Sequence, residues 1–284
     1  MKSVVITGVS SGIGLGAAKV LAGEGFAVFG AVRRQADADR VKQAIGERFT
    51  PLPFDVTDSA AIETAAEMVR EALDGESLSG LVNNAGVAMA GPLMALPLDD
   101  FRRQMEVNLI GVVAVTQAFG PLLWAGRDAG KPSGRIINVT SVGGKTALPY
   151  LSPYCASKFA LEGLTESLRR EMLLFGVEVI AIAPGMVKTE MTTKGAQTDI
   201  TPYAAGPYAA SLARLVAFMT PGDRATLTAE QLGRVIHHAL TTPRPKVRYS
   251  VAPDPIQTFM LEHLPKRLVD RLIGGQLGLL PARS

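Results

Sequence analysis

Residues 2–6, Lys-Ser-Val-Val-Ile, form a short apolar β-type run that passes directly into Thr7-Gly8-Val9-Ser10-Ser11-Gly12-Ile13-Gly14. A helical pattern through Ala17, Val20 and Leu21 follows at once and stops at Gly23-Glu24-Gly25. Few features restrict a fold more, because a strand can hand over to a helix through so tight a turn only where Cβ atoms are missing. Gly8 permits the turn, Gly12 lets an anion approach the backbone, and Gly14 lets the helix lie close to the strand. The N–H groups left free at the helix start, flanked by Ser10, Ser11 and Ile13, suit a pyrophosphate. A plain glycine-rich turn is the alternative. The place of this turn between a strand and a helix favours dinucleotide binding.

The same alternation continues down the chain. Strands are predicted at residues 27–32, 52–54, 80–82, 135–141, 177–183 and 246–251, and helices at 39–47, 59–73, from Asp99 or Asp100 to about Trp124, and from Ser152-Pro153 to about Phe175. Asp58 is placed to cap the helix at 59–73. This pattern predicts one α/β domain over residues 1–284. It is a Rossmann-type, doubly wound parallel sheet of about seven strands with helices on both faces, binding its ligand at the strands' carboxyl ends.

Composition narrows the function classes. Of 284 residues, 47% are hydrophobic and 19% charged, with a net charge of +3 spread along the chain, which fits a globular domain and gives no basis for a nucleic-acid partner. The single cysteine, Cys155, excludes an internal disulfide and points to a reducing, cytoplasmic setting. No signal peptide is apparent, and the apolar run at 109–126 contains Thr116, Gln117 and Pro121, so a buried helix explains it better than a membrane span. His237, His238 and His263 have no carboxylate or cysteine cluster beside them, and no metal site is expected.

Candidate site residues gather at predicted strand ends. Eighteen residues past Gly14, where an acid would meet the ribose of NAD(H), stands Val32, followed by Arg33-Arg34. An uncharged strand end followed by arginine favours NADP(H), with NAD(H) left open because Asp37 or Asp39 lies near. Asp55, with Val56 after it, is placed to bond an adenine amino group. Asn83-Asn84-Ala85-Gly86 would let the chain pass close to a ribose, or is an ordinary turn. Asn108 lies among apolar residues inside a helix and needs buried partners, as a structural network member or part of a proton path. Ser141 ends a strand, and thirteen residues later Tyr154 and Lys158 stand one helical turn apart. A phenol with a pKa near ~10 would need ~4 kcal/mol to act near neutrality, about what an ammonium ~4 Å away supplies at an effective dielectric of ~20.

Together, Thr7 to Gly14, Asn83 to Gly86, Asn108, Ser141, Tyr154 with Lys158, and Pro184-Gly185 with Thr189 make the chain resemble the short-chain dehydrogenase/reductase family over residues 3–190. The resemblance implies that Tyr154 exchanges a proton with the substrate oxygen and that Ser141 hydrogen-bonds this oxygen. It implies that Lys158 holds the nicotinamide ribose and lowers the tyrosine pKa, and that Asn108 supports a water relay to Lys158. It further implies that Pro184, Gly185, Val187 and Thr189 border the nicotinamide amide, and Asn83, Ala85 and Gly86 the ribose.

Beyond Thr189, residues 190–228 read as a substrate lid insertion, with Tyr208, Leu212, Leu215, Val216 and Met219 at helical spacing. Thr228-Ala-Glu-Gln231 is an expected capping box. Residues 253–284 form an amphipathic C-terminal extension, in which Pro265 starts a fresh helix. Lys266, Arg267 and Arg271 opposite leucines raise weak docking on a membrane surface beside the default of packing on the domain or on a neighbouring subunit. This tail resembles that of bacterial relatives of 17β-hydroxysteroid and retinol dehydrogenases. It suggests a bulky apolar alcohol or ketone, with Val142, Leu148, Tyr150, Met186 and Met191 as candidate pocket residues beside Ser141. A reductase of acyl thioesters or small carbonyls, and a cofactor sensor without turnover, are the competing readings. The two long helices suggest a homodimer or homotetramer.

Overall fold

The computed structural model describes residues 1–126, 130–188, 201–203, 206–220 and 226–281; Thr189 and Met191, and residues 190–200, 204–205 and 221–225 of the expected lid at 190–228, lie outside them. The strands are β1 (Ser3–Ile6), β2 (Ala27–Val32), β3 (Phe49–Pro53), β4 (Gly80–Asn83), β5 (Arg135–Val139), β6 (Glu178–Pro184) and β7 (Arg248–Val251). They pair in parallel in the order β3-β2-β1-β4-β5-β6-β7. The order reverses between β1 and β4, which opens a crevice at their carboxyl ends. Pro51 and Pro53 sit in β3, an edge strand, where a missing N–H costs no ladder bond on the open side.

The helices are α1 (Gly12–Gly23), α2 (Gln35–Ile45), α3 (Ser59–Leu73), α4 (Leu98–Met105), α5 (Gly111–Phe119), α6 (Ser152–Glu171), α7 (Ala209–Met219), α8 (Ala229–Thr241), α9 (Pro255–His263) and α10 (Lys266–Leu277). Each inner strand is buried on both faces, so its run is continuously apolar rather than alternating. One core, with Leu21, Val28, Ile137, Ile182 and Ile236, lies under α1, α2 and α8. The other, with Leu52, Ile62, Leu81, Phe119 and Ile136, lies under α3 and α5. Gly16 and Gly233 bring α1 and α8 together, since a side chain at Gly16 would meet the Ala229 backbone at 2.5 Å.

The expected caps form: Asp58 accepts from Ala61 N–H at 3.0 Å, and Thr228 and Gln231 make a reciprocal capping box. The helix expected from Asp99 or Asp100 starts at Leu98 and is interrupted by a π turn, Glu106–Ile110, between α4 and α5. The apolar stretch within it is a core helix, with Val107, Val112, Val115, Phe119, Leu122 and Leu123 buried. The final stretch divides at Pro265 as expected, and α10 buries Val269 and Leu277, the latter in a small core with Leu212 and Leu215 of α7.

Candidate active site

The crevice is a cavity of about 470 Å³. Gly8 and Gly12 adopt φ of +70° and +56°, and a side chain at Gly8 would come within 2.9 Å of Ala85. No side chain caps the start of α1, so the first helical N–H groups have no local side-chain acceptor. The result is a cradle of bare backbone with the positive end of a helix dipole behind it. It fits a dinucleotide pyrophosphate.

Of the residues expected to hold a cofactor, Gly8, Ser10, Ser11, Gly12, Ile13, Arg33, Asp55, Val56, Ala85, Gly86, Tyr154, Lys158, Pro184, Gly185 and Val187 all line this cavity. Three do not. Gly14 is buried behind the turn, where a side chain would overlap the Gly8 carbonyl; its task is packing alone. Arg34 is turned away and held by Asp37 at 2.9 Å. Asn83 is corrected inward: its Nδ2 donates to Thr116 Oγ1 at 3.0 Å and to Asn138 Oδ1 at 2.9 Å, joining the sheet to α5. The next residue, Asn84, takes the groove position and ties the two turns together, donating to Thr7 O at 2.9 Å. Thr7 Oγ1 accepts the Asn84 and Ala85 N–H groups, both at 2.9 Å. Arg103 of α4 also lines the groove and was not singled out from sequence, since nothing local separates it from Arg102.

Asp37 does not reach the groove either, because its carboxylate is bridged by Arg40 at 2.8 Å and by Arg34, both of which hold it below the usual carboxylate range. Arg40 also donates to Ser10 O at 2.7 Å, bracing the glycine turn. Asp39 is engaged by Gln35 at 2.8 Å. Arg33 therefore faces the groove beside Val32, 3.6 Å from Asp55, with Arg103 of α4 as a second cation on the groove wall. Burial pushes the Asp55 carboxyl up, but the Thr57 N–H and hydroxyl, with Arg33, outweigh it and hold it below its ordinary value.

Ser141, Tyr154 and Lys158 come together at the other end of the groove. The Ser141 and Tyr154 side chains both lie against Gly143, and Ser141 Oγ accepts the Gly143 N–H at 3.0 Å. Lys158 Nζ donates to Val139 O at 2.8 Å and lies 5.9 Å from the centre of the Tyr154 ring. In the protein alone, burial is the largest influence on both groups. Burial pushes the Tyr154 phenol above its ordinary value, against the lowering effect of Ser141. Burial likewise pulls Lys158 down to about 8, against the Glu162 carboxylate, which holds it up. The ammonium is spent on a strand carbonyl rather than aimed at the hydroxyl, and desolvation exceeds the attraction left over.

Asn108 sits in the π turn with both amide hydrogens used: Oδ1 accepts Val87 N–H at 2.9 Å, and Nδ2 donates to Val87 O at 3.0 Å and Ser157 Oγ at 3.1 Å. Ser157 in turn donates to Tyr154 O at 2.7 Å. The Asn108 amide therefore seats the first turn of α6. The π turn is what brings it there.

The substrate residues separate. Leu148 lines a second, apolar cavity of about 540 Å³ with Leu215 and Phe218 of α7, Met260 of α9 and Ile273 of α10. Val142 and Met186 line neither cavity. Tyr150 is buried, with φ +66°, and its hydroxyl meets Ser211 Oγ at 2.6 Å; it fastens α7 to the loop between Ser141 and Tyr154 instead of facing a ligand.

Comparison with known proteins agrees with this geometry. Residues 2–199 match the model of the short chain dehydrogenase family. The NADPH-dependent 3-dehydrocapnine reductase of Ornithobacterium rhinotracheale is 36% identical over 100% of both chains. Retinol dehydrogenase 5 of Mus musculus is 33% identical over 95% of this chain and 87% of its own length. A short-chain dehydrogenase from Streptomyces avermitilis superposes with a TM-score of 0.74 at 24% identity, covering 98% of this chain and 97% of the other. The chain belongs to the short-chain dehydrogenase family, and is an NAD(P)-dependent oxidoreductase acting on CH–OH groups.

Proposed function

We propose that the protein interconverts a hydrophobic secondary alcohol and its ketone with NADP(H), Tyr154 exchanging the proton. The observation that carries this is the meeting of Ser141, Tyr154 and Lys158 at the end of a glycine-lined groove. The bound nicotinamide supplies the hydride chemistry. Gly8, Gly12, Arg33 and Asp55 hold the adenosine and phosphate half, while Lys158, Pro184 and Gly185 border the nicotinamide half. Ser141 orients the carbonyl oxygen toward the phenol. Arg33, with Asp37 and Asp39 engaged elsewhere, favours the 2′-phosphate, and the relative from Ornithobacterium is NADPH-dependent.

The cavity past Leu148 supports a bulky apolar substrate over a small one, because most of its wall is apolar, Gln257 and Gln276 are uncharged, and Asp254 at its edge is already the cap of α9. The relatives' names point the same way, to a dehydrocapnine and a retinol. The test is a panel of steroids, retinoids, long-chain and short ketones, and acyl thioesters, followed by loss of NADPH absorbance. Tyr154→Phe abolishes turnover and leaves NADPH binding intact; turnover by that variant would refute its role. Preference for acyl thioesters would instead favour the reductase of small acyl groups, and NADPH binding with no turnover of any carbonyl would favour a sensor.

Two assembly properties belong to this reading. Exposed Ile110 and Phe159 on the long-helix faces suit a homo-oligomer, to be read by light scattering. Ile256, Phe259, Leu268 and Leu272 are exposed near Lys266, Arg267 and Arg271, which suits an anionic membrane surface. Failure of the intact protein to float with anionic vesicles would end that proposal.

A further inference from the structure

The buried charges nearest Lys158 form a group that the mechanism above does not use. Glu162 follows Lys158 by one turn of α6, and its side chain packs against the loop after Ser141, where Gly144 faces both the Glu162 stem and the Lys158 carbonyl. Arg248 Nε donates to both Glu162 oxygens, at 3.1 and 3.3 Å, and its terminal nitrogen reaches Glu262 of α9 at 3.4 Å. The Arg248 and Glu162 side chains are 15% exposed and that of Glu262 9%. Two carboxylates and two cations, Lys158 among them, thus share one buried region. Breaking such a set by removing one member costs far more than it would on the surface.

The geometry is selective. Arg248 alone would be matched by one carboxylate, and the second leaves an excess negative charge one turn of α6 from Lys158. The other ionisable groups around that ammonium are Tyr154 and Cys155 on α6 itself and, along the groove, Arg33, Asp55 and Arg103. Cys155 is an uncharged thiol, which burial pushes up. Glu162 is the anion that acts on Lys158.

We propose that Glu162 is a positioning residue for Lys158, supplying its buried counter-charge, and that Arg248 and Glu262 fix that carboxylate in place, so that α9 of the C-terminal extension tunes the proton-transfer site. The proposal rests on Lys158 serving the chemistry in its charged form, as the proposed function has it.

The experiment is a titration of the lysine Nζ signals by 15N NMR in the cofactor-free protein, with Lys158 assigned through Lys158→Arg, together with the pH profile of ketone reduction. Glu162→Gln lowers the Lys158 midpoint, and with it the alkaline limb of kcat/KM, by about half to one pH unit, since Arg248 already offsets part of the charge. That is about three- to tenfold lower kcat/KM above the limb. Glu162→Asp restores part of the shift. Glu262→Gln moves the limb the same way by less, because Arg248 is then matched one-to-one and no excess charge remains. A Lys158 midpoint that stays within about 0.2 pH unit of wild type in Glu162→Gln overturns the proposal. If Glu162→Gln does not fold, an unmoved midpoint in Glu262→Gln overturns it equally. Wild type that reduces no carbonyl defeats the proposed function and leaves the NMR result to decide this inference alone.

Discussion

Lys158→Met separates what the site costs from what it does. The ammonium is buried, and its pKa falls from 10.5 to about 8. At ~1.36 kcal/mol per pH unit, keeping it charged in the folded protein costs about 3 kcal/mol below pH 8. The sign follows from linkage. Between about pH 8 and 10.5 the unfolded chain binds more protons at this residue than the folded one, so wild-type stability rises with pH across that window. Methionine matches the stem without the charge, but it leaves the Val139 carbonyl without the 2.8 Å donor, an offset of ~1–3 kcal/mol. The variant is therefore equal to wild type or up to ~2 kcal/mol more stable at pH 7. Its advantage shrinks by about 3 kcal/mol by pH 10.5. Urea unfolding of both proteins at pH 7, 8, 9 and 10 measures the difference. The raised Tyr154 phenol opposes the trend only above its ordinary value, and it is present in both. A gap that does not change with pH would show that Lys158 is not held charged in a desolvated site.

Arg33→Ala lowers kcat/KM for NADPH by about 10- to 100-fold, the worth of one charge-assisted bond, and leaves NADH nearly unaffected; equal losses for the two cofactors would remove the 2′-phosphate assignment. Gly14→Ala forces α1 off the Gly8 carbonyl and costs ~1–3 kcal/mol or more, read as a lower thermal midpoint with weaker NADPH fluorescence enhancement. Asn108→Ala orphans the Val87 N–H and weakens the seat of Tyr154 through Ser157, at ~1–3 kcal/mol for the unsatisfied groups. Its kcat falls more than its KM rises, and a fall in KM affinity alone would contradict a role in seating Tyr154.

The strands and the glycine turn were legible because their causes are local or periodic: continuous apolar runs for strands covered on both faces, and missing Cβ atoms where backbones approach. The choice between Asn83 and Asn84 was not legible. Both are asparagines at one strand end, and side-chain direction inverts with each residue, so only the pairing with Asn138 and Thr116 decides which is inside. Arg33 and Arg34 divide for the same reason, one facing the groove and one drawn to Asp37. The resemblance of the tail suggests Tyr150 as a pocket residue. Its positive φ, uncommon for a residue with a side chain, instead turns it into the small core with Leu212 and Leu215. The sign of the Tyr154 shift depends on how much water three other segments exclude, which spacing along one helix does not encode.

The site concentrates features that each lower stability: a desolvated ammonium, a π turn, a tyrosine at positive φ and a carboxylate pair sharing one arginine. The ammonium, the π turn and the tyrosine lie beyond the carboxyl ends of β4 and β5 or on elements packed against those ends, while the shared arginine opens β7 opposite Ala181 of β6. The middles of β4, β5 and β6, with Leu81, Val82, Ile136, Ile137, Val179 and Ile180 almost fully buried, carry none. Burial of each such side chain contributes ~1.5–3 kcal/mol, enough for the two cores to offset the site's costs. The C-terminal extension reaches back through Glu262 to β7 and α6. Arg248, partly buried at the start of β7, pairs with Glu162 of α6, and α9 brings it a second carboxylate.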